Sequence, residues 1–381
     1  MAATGGEHRG HIKGRQRLFF AVEEHRIQDQ GRYSYLVFKI NLKDMFAPAA
    51  AGEQDEEHWA AAMRSFPRPV AQIDTQRGRL ERLDLAAVVS GATTSIVAVS
   101  CDRRTVIYDT AAAAEAPCGR ELRYRMPGGT TLIPSGTQLY AVASNLWPPD
   151  SDSAPSFQVL QPPLCHGRCW SWRPLPAPPR DMYKILEYPA RPFCYVTAVL
   201  AAGTRVWVSA PDRGTYSFDT ARPAWRKEGD WVLPFERRGL FVPELGLCFG
   251  ICPRRLCLCA FDAPTAAAAA PPAARYVWQD ETYPRECQDR GFYVRSPGSL
   301  GYLGDGKFCI TWTIGIEYSE QERTMVPSQF ALLLVAVQVV RCSETAGAGG
   351  EGRLRLVKHK VRCYKMSGHG IDGYVLQPSL G

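Results

Sequence analysis

One segment of the sequence nearly matches a phosphate-binding loop. Between Gly301 and Phe308, the glycines and Lys307 have the spacing that lets such a loop wrap its backbone N–H groups around a phosphate. The segment ends in Phe308, however, where the loop carries the Ser or Thr that binds magnesium, and a strand-like segment follows instead of a helix. Because Asp305 and Gly306 form a hairpin-turn dipeptide, we predict a turn and no nucleotide site.

Cysteines are the second candidate for chemistry. They form two clusters. The first consists of Cys165 and Cys169 with His166 between them, and the second consists of Cys248, Cys252, Cys257 and Cys259. Structural zinc sites usually contain tight Cys-x-x-Cys pairs, whereas the later group falls on strand-like segments where alternate side chains point to opposite faces. We predict buried free thiols, with redox sensitivity and a metal site as alternatives. No Gly-x-Ser-x-Gly motif is present, so we predict no catalytic residues and no cofactor.

A basic segment near the C-terminus is the third candidate. Between Arg353 and Met366, basic residues interleave with Leu354, Leu356 and Val361. This alternation predicts a strand with a basic outer face, of the kind that protects the edge of a sheet against aggregation. An acidic protein or RNA surface is the alternative use of the same face. The basic residues are Arg353, Arg355, Lys358, Lys360 and Arg362.

The composition excludes several classes of protein. With 45% hydrophobic and 22% charged residues, the chain can bury enough apolar surface to fold, so wholesale disorder is excluded. The net charge of +7 is spread along the chain and does not by itself indicate nucleic acid. We expect no secretory leader in residues 1–16, which lack an apolar stretch, and no membrane span, because the apolar run Phe330–Val340 is too short. The 13 irregularly spaced cysteines favour a reducing cytoplasm or nucleus.

Internal repeats indicate how a chain of 381 residues can form one core. Ser95–Thr110 and Arg205–Thr220 share an alternating apolar strand, a Ser, an Asp-Arg turn, a second alternating strand and a closing Asp-Thr pair. Leu245–Ala263 keeps the strands and the aromatic-Asp ending but lacks the Asp-Arg pair. Alternation of apolar and polar residues between turns predicts β-hairpins. The first strands of successive hairpins are often about 40 to 50 residues apart, a spacing typical of propeller blades.

Further hairpins complete a set of six. They are Leu18–Glu23 with Tyr35–Asn41, Leu139–Ser144 with Phe157–Gln161, and Lys307–Thr313 with Ala331–Val339. We therefore predict an all-β fold, a single six-bladed kelch-like β-propeller over residues 18–366 with loop insertions, closed by the meeting of its N- and C-terminal strands. We predict a disordered basic N-terminus over residues 1–17, a C-terminal tail over residues 367–381, and an amphipathic helix over Glu53–Ser65.

Two resemblances support this prediction. The pair Phe218 and Asp219, followed six residues after the Asp by Trp225, resembles the end of a kelch-type hairpin. The stretch Gly214–Cys252, with its groups Gly229-Asp230-Trp231 and Leu233-Pro234-Phe235, is similar to the signature of a grass-expanded plant family catalogued as domain of unknown function 1668. The resemblance implies a propeller-like fold and transfers no catalytic residue.

The repeat residues are predicted to have structural roles. An Asp that closes a hairpin can accept backbone N–H bonds in the following turn, and a Trp after the hairpin can pack across a neighbouring blade. We therefore expect Trp225 and Trp231 to be largely buried. The residues with predicted packing and turn roles are Asp109, Asp219, Trp225, Asp230, Trp231 and Asp262.

Taken together, these patterns predict a non-enzymatic protein-interaction module that binds an unidentified protein partner. We expect neither nucleic acid nor a membrane as its partner. One alternative is an enzyme that uses the central channel of the propeller, and it requires polar residues to converge there. A channel lined mainly by apolar or small side chains would favour the interaction module. The other alternative, a nucleic-acid binder, requires the Lys and Arg residues to converge on one face.

The cysteine pattern makes a prediction about the purified protein. We expect it to contain no stoichiometric zinc and no structural disulfide, since its cysteines lie on strands in a reducing compartment. Elemental analysis would measure the metal, and thiol titration of protein prepared without oxidant should find all 13 cysteines. One zinc per chain, or thiols missing from the titration, would contradict the expectation.

Overall fold

The computed structural model of the protein describes residues 17–26, 32–41, 43–46, 63–75, 82–90, 93–115, 121–126, 129–146, 157–162, 169–182, 184–185, 192–211, 213–252, 254–266, 268, 270–278, 282–284, 287, 289, 292–295, 298–318, 327–342, 353–367 and 370–376. These residues are mostly β-strand, with a short helix α1 (Lys43–Phe46), a 3₁₀ turn at Arg180–Met182 and helical conformation at Cys287 and Asp289. Within these ranges no helix is long and apolar enough to cross a membrane.

The first three blades follow one another along the chain as antiparallel sheets. The first contains β1 (Arg17–Arg26), β2 (Arg32–Asn41) and β3 (Ala71–Asp74). The second contains β4 (Leu83–Ser90), β5 (Thr93–Ser100), β6 (Thr105–Asp109) and β7 (Ala114–Glu115). The third contains β8 (Thr130–Ser135), β9 (Gln138–Ala143), β11 (Phe157–Gln161) and β12 (Ser171–Pro174), while β10 (Asn145–Leu146) leaves the blade.

A small sheet separates the third and fourth blades along the chain. In it β10 pairs with β14 (Pro192–Tyr195), which also pairs with β13 (Lys184–Ile185). The fourth blade contains β15 (Ala198–Ala202), β16 (Arg205–Ala210), β17 (Gly214–Asp219) and β18 (Ala224–Gly229), and β19 (Arg237–Arg238) joins it in parallel with β15. The fifth contains β20 (Leu240–Val242), β21 (Leu247–Cys252), β22 (Cys257–Asp262) and β23 (Ala274–Trp278). The sixth contains β24 (Tyr293–Val294), β25 (Ser299–Gly304), β26 (Lys307–Tyr318), β27 (Pro327–Arg341) and β28 (Leu354–Lys365).

The last strand of the chain closes the ring. Strand β29 (Gly370–Leu376) pairs antiparallel with β1, so that it forms the innermost strand of the first blade. The innermost strands then contact one another in the cyclic order β29, β4, β8, β15, β20, β25 and back to β29. Closure of this kind leaves no blade without a neighbour, and each blade keeps only one outer edge strand.

The core lies between the blades rather than at the centre of the ring. Along β1, Phe20 and Val22 pack with residues of the sixth blade such as Leu332, whereas Ala21 packs with residues of the second blade such as Ile96. Successive side chains of a strand point to opposite faces, so every blade that has two neighbours needs apolar residues at both odd and even positions. Burial of each such large side chain contributes about 1.5–3 kcal/mol.

The structure confirms the six-bladed β-propeller predicted from the sequence. All six predicted hairpins are present, and they form the two middle strands of the six blades: β1 and β2, β5 and β6, β9 and β11, β16 and β17, β21 and β22, and β26 and β27. The near-match to a phosphate-binding loop is the hairpin turn between β25 and β26, where Asp305 and Gly306 both have positive φ.

The structure differs from the sequence-based expectations at the edges of the predicted units. The propeller does not end at residue 366, because the segment expected as a tail contains β29, whose apolar side chains complete the first blade. The helix predicted over Glu53–Ser65 falls mostly outside the described residues, and its end is not helical. There Arg64 donates its N–H to the carbonyl of Cys363 (2.9 Å), so pairing with β28 replaces helical hydrogen bonds. The predicted disorder concerns residues outside the described ranges, except for Arg17, where β1 begins.

Two glycine turns provide a test of the ring's packing. Gly136 and Gly306 occupy equivalent turns between the first two strands of the third and sixth blades, with φ of 57° and 69°. A Cβ atom at Gly306 would lie 2.2 Å from the carbonyl oxygen of Val339, whereas nothing lies within 4 Å of one at Gly136. We predict that Gly306→Ala lowers the free energy of unfolding by about 2–5 kcal/mol, and that Gly136→Ala costs only the conformational part of about 1–2 kcal/mol. Chemical denaturation would measure both, and equal losses would contradict the close approach.

Candidate functional site

A cavity of about 330 Å³ lies where the innermost strands converge, and we call it the channel. Its described wall is built by β29, β4, β8, β15, β19 and β25, so residues from all blades but the fifth meet there. Apolar side chains are a minority of the groups that could interact with a ligand, since hydroxyl groups and both signs of charge line the wall. The charged residues are Glu23, Arg82, Asp84, Arg237, Arg238 and Asp372.

Two ion pairs tie other parts of the ring to the first blade across the channel. Arg82 Nε lies 3.2 Å from Glu23 Oε1, and Arg237 Nη2 lies 3.4 Å from Asp372 Oδ2. The other carboxylate oxygen of Asp372 accepts a hydrogen bond from Thr313 Oγ1 (2.8 Å). Paired charges of this kind can remain in a partly buried site because each partner replaces some of the lost hydration of the other.

Two carboxyl groups of the channel have raised pKa values. Burial raises the pKa of Glu23 from 4.5 to about 7, although the Arg82 guanidinium opposes the shift. Burial also raises the pKa of Asp84 from 3.8 to about 7, despite the hydrogen bond that Asp84 Oδ2 accepts from the backbone N–H of Thr130 (2.7 Å). The charge of Glu23 raises the pKa of Asp84 further. Near neutral pH, both groups are therefore partly protonated, and the balance of charge in the channel becomes more positive.

The remaining arginine of the channel stands apart from these pairs. Arg238 forms no ion pair with any described residue, and burial alone lowers its pKa from 12.5 to about 10. Its strand is fixed beside β15, because Arg237 donates its N–H to Thr197 O (2.7 Å) and Gly239 donates to Val199 O (2.9 Å). Arg237 itself has a φ of 63°, a left-handed conformation that is uncommon outside glycine.

A second cavity, of about 510 Å³, lies at the junction of the second and third blades, and we call it the interblade groove. It is formed by the turn between β5 and β6, the segment after β7, and strands β11 and β12. Three arginines line it beside an indole ring and a proline. These residues are Arg103, Arg123, Trp172, Arg173 and Pro174.

The predicted turn roles of the repeat aspartates agree with their contacts in two of three cases. Asp109 Oδ1 accepts the backbone N–H groups two and three residues later, at 2.8 and 3.2 Å, and Asp219 Oδ1 does the same at 3.0 Å for both. The N–H groups of that turn lower the pKa of Asp219. Asp262 has a different contact, an ion pair with Arg275 Nε at 2.7 Å. The third repeat therefore keeps the hairpin while its closing Asp pairs across to the outer strand.

The two tryptophans are half-buried, not largely buried as expected, because they lie on or just after the outermost strand of the fourth blade, where one side faces solvent. Each still connects two parts of the ring. Trp225 Nε1 donates to Pro176 O in the third blade (2.8 Å), and its ring lies 5.1 Å from that of Phe157. Trp231 Nε1 donates to Ala268 O of the fifth blade (3.3 Å).

The rest of the signature stretch packs between the fourth and fifth blades. Leu233 and Phe235 are buried there, and the Phe235 ring stacks on Phe261 with centroids 5.3 Å apart. Asp230, by contrast, is exposed and pairs with Lys227 at 2.7 Å. An exposed pair contributes about 0–1 kcal/mol, so Asp230 carries little of the packing role predicted for it.

The cysteines of the fifth blade are placed as strand residues. Cys248, Cys257 and Cys259 are buried, with the sulfur atoms of the latter two 3.7 Å apart, and Cys165 lies outside the described residues. Burial raises the pKa of the Cys248 thiol to about 12, which makes it a poor nucleophile. In the described part of the chain, no three His, Cys, Asp or Glu side chains are grouped to hold a metal ion.

The predicted basic strand is β28, the outer strand of the sixth blade. Ordinary alternation places Lys358 on the same face as Leu356 and Arg355 on the other face. A register shift between Val335 and Val337 of β27 then brings Arg362 onto the face of Arg355. Arg362 Nη2 donates to Asp44 O of α1 (3.3 Å). The predicted basic residues, Arg353, Arg355, Lys358, Lys360 and Arg362, are therefore not all on one face.

Sequence reasoning did not single out the channel residues. Asp84 is the one with a visible signal, because it is the only acidic residue in the apolar strand Leu83–Val89. Arg237 and Arg238 fall inside the signature stretch but had no recognisable motif of their own. Nothing local marks Glu23 or Asp372, which only the closed ring brings opposite each other.

Comparisons with known proteins give a family and no closer relative. A family model described as "Protein of unknown function (DUF1668)" matches residues 15–364. No curated protein matches the chain. One similar solved structure is the β-propeller domain of Cps50 (Swd1) from Myceliophteria thermophila, which has 9% identity and a TM-score of 0.38 over 84% of this chain and 90% of that chain. Another is Sqt1 from Saccharomyces cerevisiae, which has 7% identity and a TM-score of 0.35 over 93% of this chain and 98% of that chain.

The raised pKa of Asp84 gives a test by pH. Because its folded value of about 7 lies above its ordinary value of 3.8, ionisation of Asp84 opposes folding, and this penalty grows as pH rises from 5 to 8. We predict that the free energy of unfolding of Asp84→Asn rises by about 1–3 kcal/mol relative to that of the wild type as the pH increases from 5 to 8. The matched control is Asp109→Asn, which keeps an oxygen for its turn. Denaturation at both pH values would measure the difference, and parallel pH profiles for wild type and Asp84→Asn would contradict it.

Proposed function

Because the chain belongs to the DUF1668 family of proteins of unknown function, we propose a function from its geometry: a non-enzymatic interaction module that binds an acidic, extended segment of a partner protein. The interblade groove is the proposed binding surface. The observation that carries the proposal is that arginines without a described carboxylate partner lie there beside Trp172 and Pro174.

The backbone around the groove is held in place from both blades. Arg103 donates from Nε to Leu122 O (2.8 Å), and Leu122 returns its N–H to Arg103 O (2.8 Å). The buried side chain of Gln158 accepts the N–H of Arg123 (3.0 Å) and donates to Tyr124 O (3.1 Å). A surface fixed in this way loses little conformational entropy on binding, which favours affinity.

The charges of the groove are complementary to an acidic partner. Arg103 is paired with Glu121 (3.2 Å), whereas Arg123 and Arg173 are exposed and have no ion pair with any described residue. A guanidinium can bind a carboxylate through two parallel hydrogen bonds. Arg is also one of the residue types that contribute most to protein interfaces. Trp172, which is largely buried, and the half-buried Pro174 supply an apolar part of the lining, so the groove suits a peptide with acidic and apolar residues.

Two other functions deserve comparison. The channel has the convergent polar residues that an enzyme would require, so binding of a small molecule there is a second candidate, although the fold and the family provide no evidence of catalysis. The nucleic-acid alternative has less support, because the basic residues of β28 are divided between two faces. Binding of an extended acidic segment at the groove needs no such convergence.

A charge-reversal experiment would test the proposal. The probe is a fluorescent peptide of alternating Glu and Leu residues, measured by anisotropy at physiological salt. We predict that Arg123→Glu with Arg173→Glu weakens binding by at least about tenfold, because two charge-assisted hydrogen bonds are lost.

The matched control is Arg353→Glu with Arg355→Glu, which changes the net charge equally at another exposed site. The control should bind the peptide within about twofold of the wild type, as surface changes away from a binding site usually have small effects. Equal losses in both variants would show general electrostatic attraction and contradict the groove. Tighter binding of single-stranded RNA than of the peptide, lost in the control variant, would favour the nucleic-acid alternative instead.

A further inference from the structure

Two buried oxygen atoms in the channel wall lack hydrogen-bond partners, and a half-buried guanidinium in the same wall has no ion pair among the described residues. The guanidinium is that of Arg238, a half-buried side chain that lines the channel. Thr130 is 2% exposed, and its Oγ1 has no hydrogen-bond partner. Glu23 is 7% exposed, and its Oε1 lies near Arg82 without forming a hydrogen bond. Most buried polar groups in proteins are hydrogen-bonded, so two exceptions beside one cavity call for an explanation.

The backbone beside the channel supports a functional explanation. Arg237 is held with a φ of 63°, and its strand β19 is inserted in parallel beside β15 so that two consecutive arginines enter the channel wall. Strained residues of this kind persist only when the surroundings fix them, and they cluster at binding sites. An unpaired guanidinium and an unpaired hydroxyl both cost stability when they are withdrawn from water.

We propose that the channel binds a small hydroxylated oxyanion, with the oxyanion at Arg238 and the hydroxyl groups of the ligand at Glu23 and Thr130. Each of the three groups then receives a hydrogen-bond partner of suitable chemistry. Arg238 donates to the oxyanion, and a ligand hydroxyl donates to the Glu23 carboxylate. A second hydroxyl exchanges a hydrogen bond with Thr130 Oγ1.

The size and the other charges of the channel agree with this class of ligand. A volume of about 330 Å³ is at the lower end for sites that bind small molecules, about 300–1,000 Å³. The two ion pairs already satisfy Arg82 and Arg237, so a ligand with one anionic group does not leave a further cation unpaired. A carboxylate and a phosphate share the required chemistry, and the probes below distinguish them.

Paired probes would test the proposal by isothermal titration calorimetry. D-gluconate and sorbitol differ in a single terminal group, a carboxylate in place of a hydroxymethyl. Glycerol 3-phosphate and glycerol make the same comparison for phosphate. We expect the wild type to bind at least one of the two anions and to bind it at least about tenfold more tightly than its neutral partner, as loss of a charge-assisted hydrogen bond predicts. Absence of binding by both anions, or equal affinity for the neutral partner, would overturn the proposal.

Variants of Arg238 separate binding from folding. We expect Arg238→Met to lose at least about tenfold in affinity for the anion while the apo protein keeps or raises its denaturation midpoint, because a half-buried charge without an ion pair is removed. Arg238→Lys should recover part of the affinity. The control Arg173→Met removes the same charge from the interblade groove and should bind the anion as the wild type does, so that failure of either proposal can be recognised separately. Unchanged affinity in Arg238→Met would contradict the assignment.

Discussion

Closure of the ring by β29 is the interaction on which the rest of the structure depends. By pairing with β1, β29 supplies the innermost strand of the first blade and places that blade against both of its neighbours. Polar contacts join β29 to the sixth blade as well, since Val375 donates its N–H to Ser299 Oγ (2.7 Å) and Asp372 accepts from Thr313 (2.8 Å). Without this strand, the first and sixth blades would lose the part of their apolar contact that residues of β29 such as Val375 provide. Because all inner strands contact one another in a cycle, the shape of the channel also depends on this one pairing.

Apolar and polar residues occupy different parts of the ring, and the polar ones include its centre. Apolar side chains fill the interfaces between blades, so the centre of the molecule does not need them and can contain charged groups. The cost of burying charge there is visible in the raised pKa values of Glu23 and Asp84 and the lowered pKa of Arg238. Ion pairs with Arg82 and Arg237 offset part of this cost for Glu23 and Asp372, the less exposed partners. The part left without partners is what indicates a ligand site.

The repeats explain why the blades are alike in their hairpins and different at their edges. Asp109 and Asp219 end their hairpins with the same two N–H contacts. The hydroxyl groups of the residues that follow them, Thr110 and Thr220, donate to backbone carbonyls near the start of the hairpin, those of Thr94 and Thr204. These contacts fix the turn and leave the outer strand free to vary. Variation there forms the interblade groove beside β12 and the half-buried tryptophan on β18. The binding surfaces proposed for this protein therefore lie outside the repeated part of each blade.

The sequence by itself determined the six hairpins, because the alternation of apolar and polar side chains and the presence of turn residues are local properties. They can be recognised without knowing which elements lie beside the hairpin. It also indicated the Asp109 and Asp219 turns and the turn at Gly306, each of which depends on a few adjacent residues. Only the tertiary structure decided that the final segment closes the ring and that Trp225 is half-buried, since both depend on which elements lie beside them. The channel was beyond sequence reasoning for the same reason. Its carboxyl and guanidinium groups come from distant strands, and their pairing and altered pKa values arise only when the closed ring withdraws them together from water.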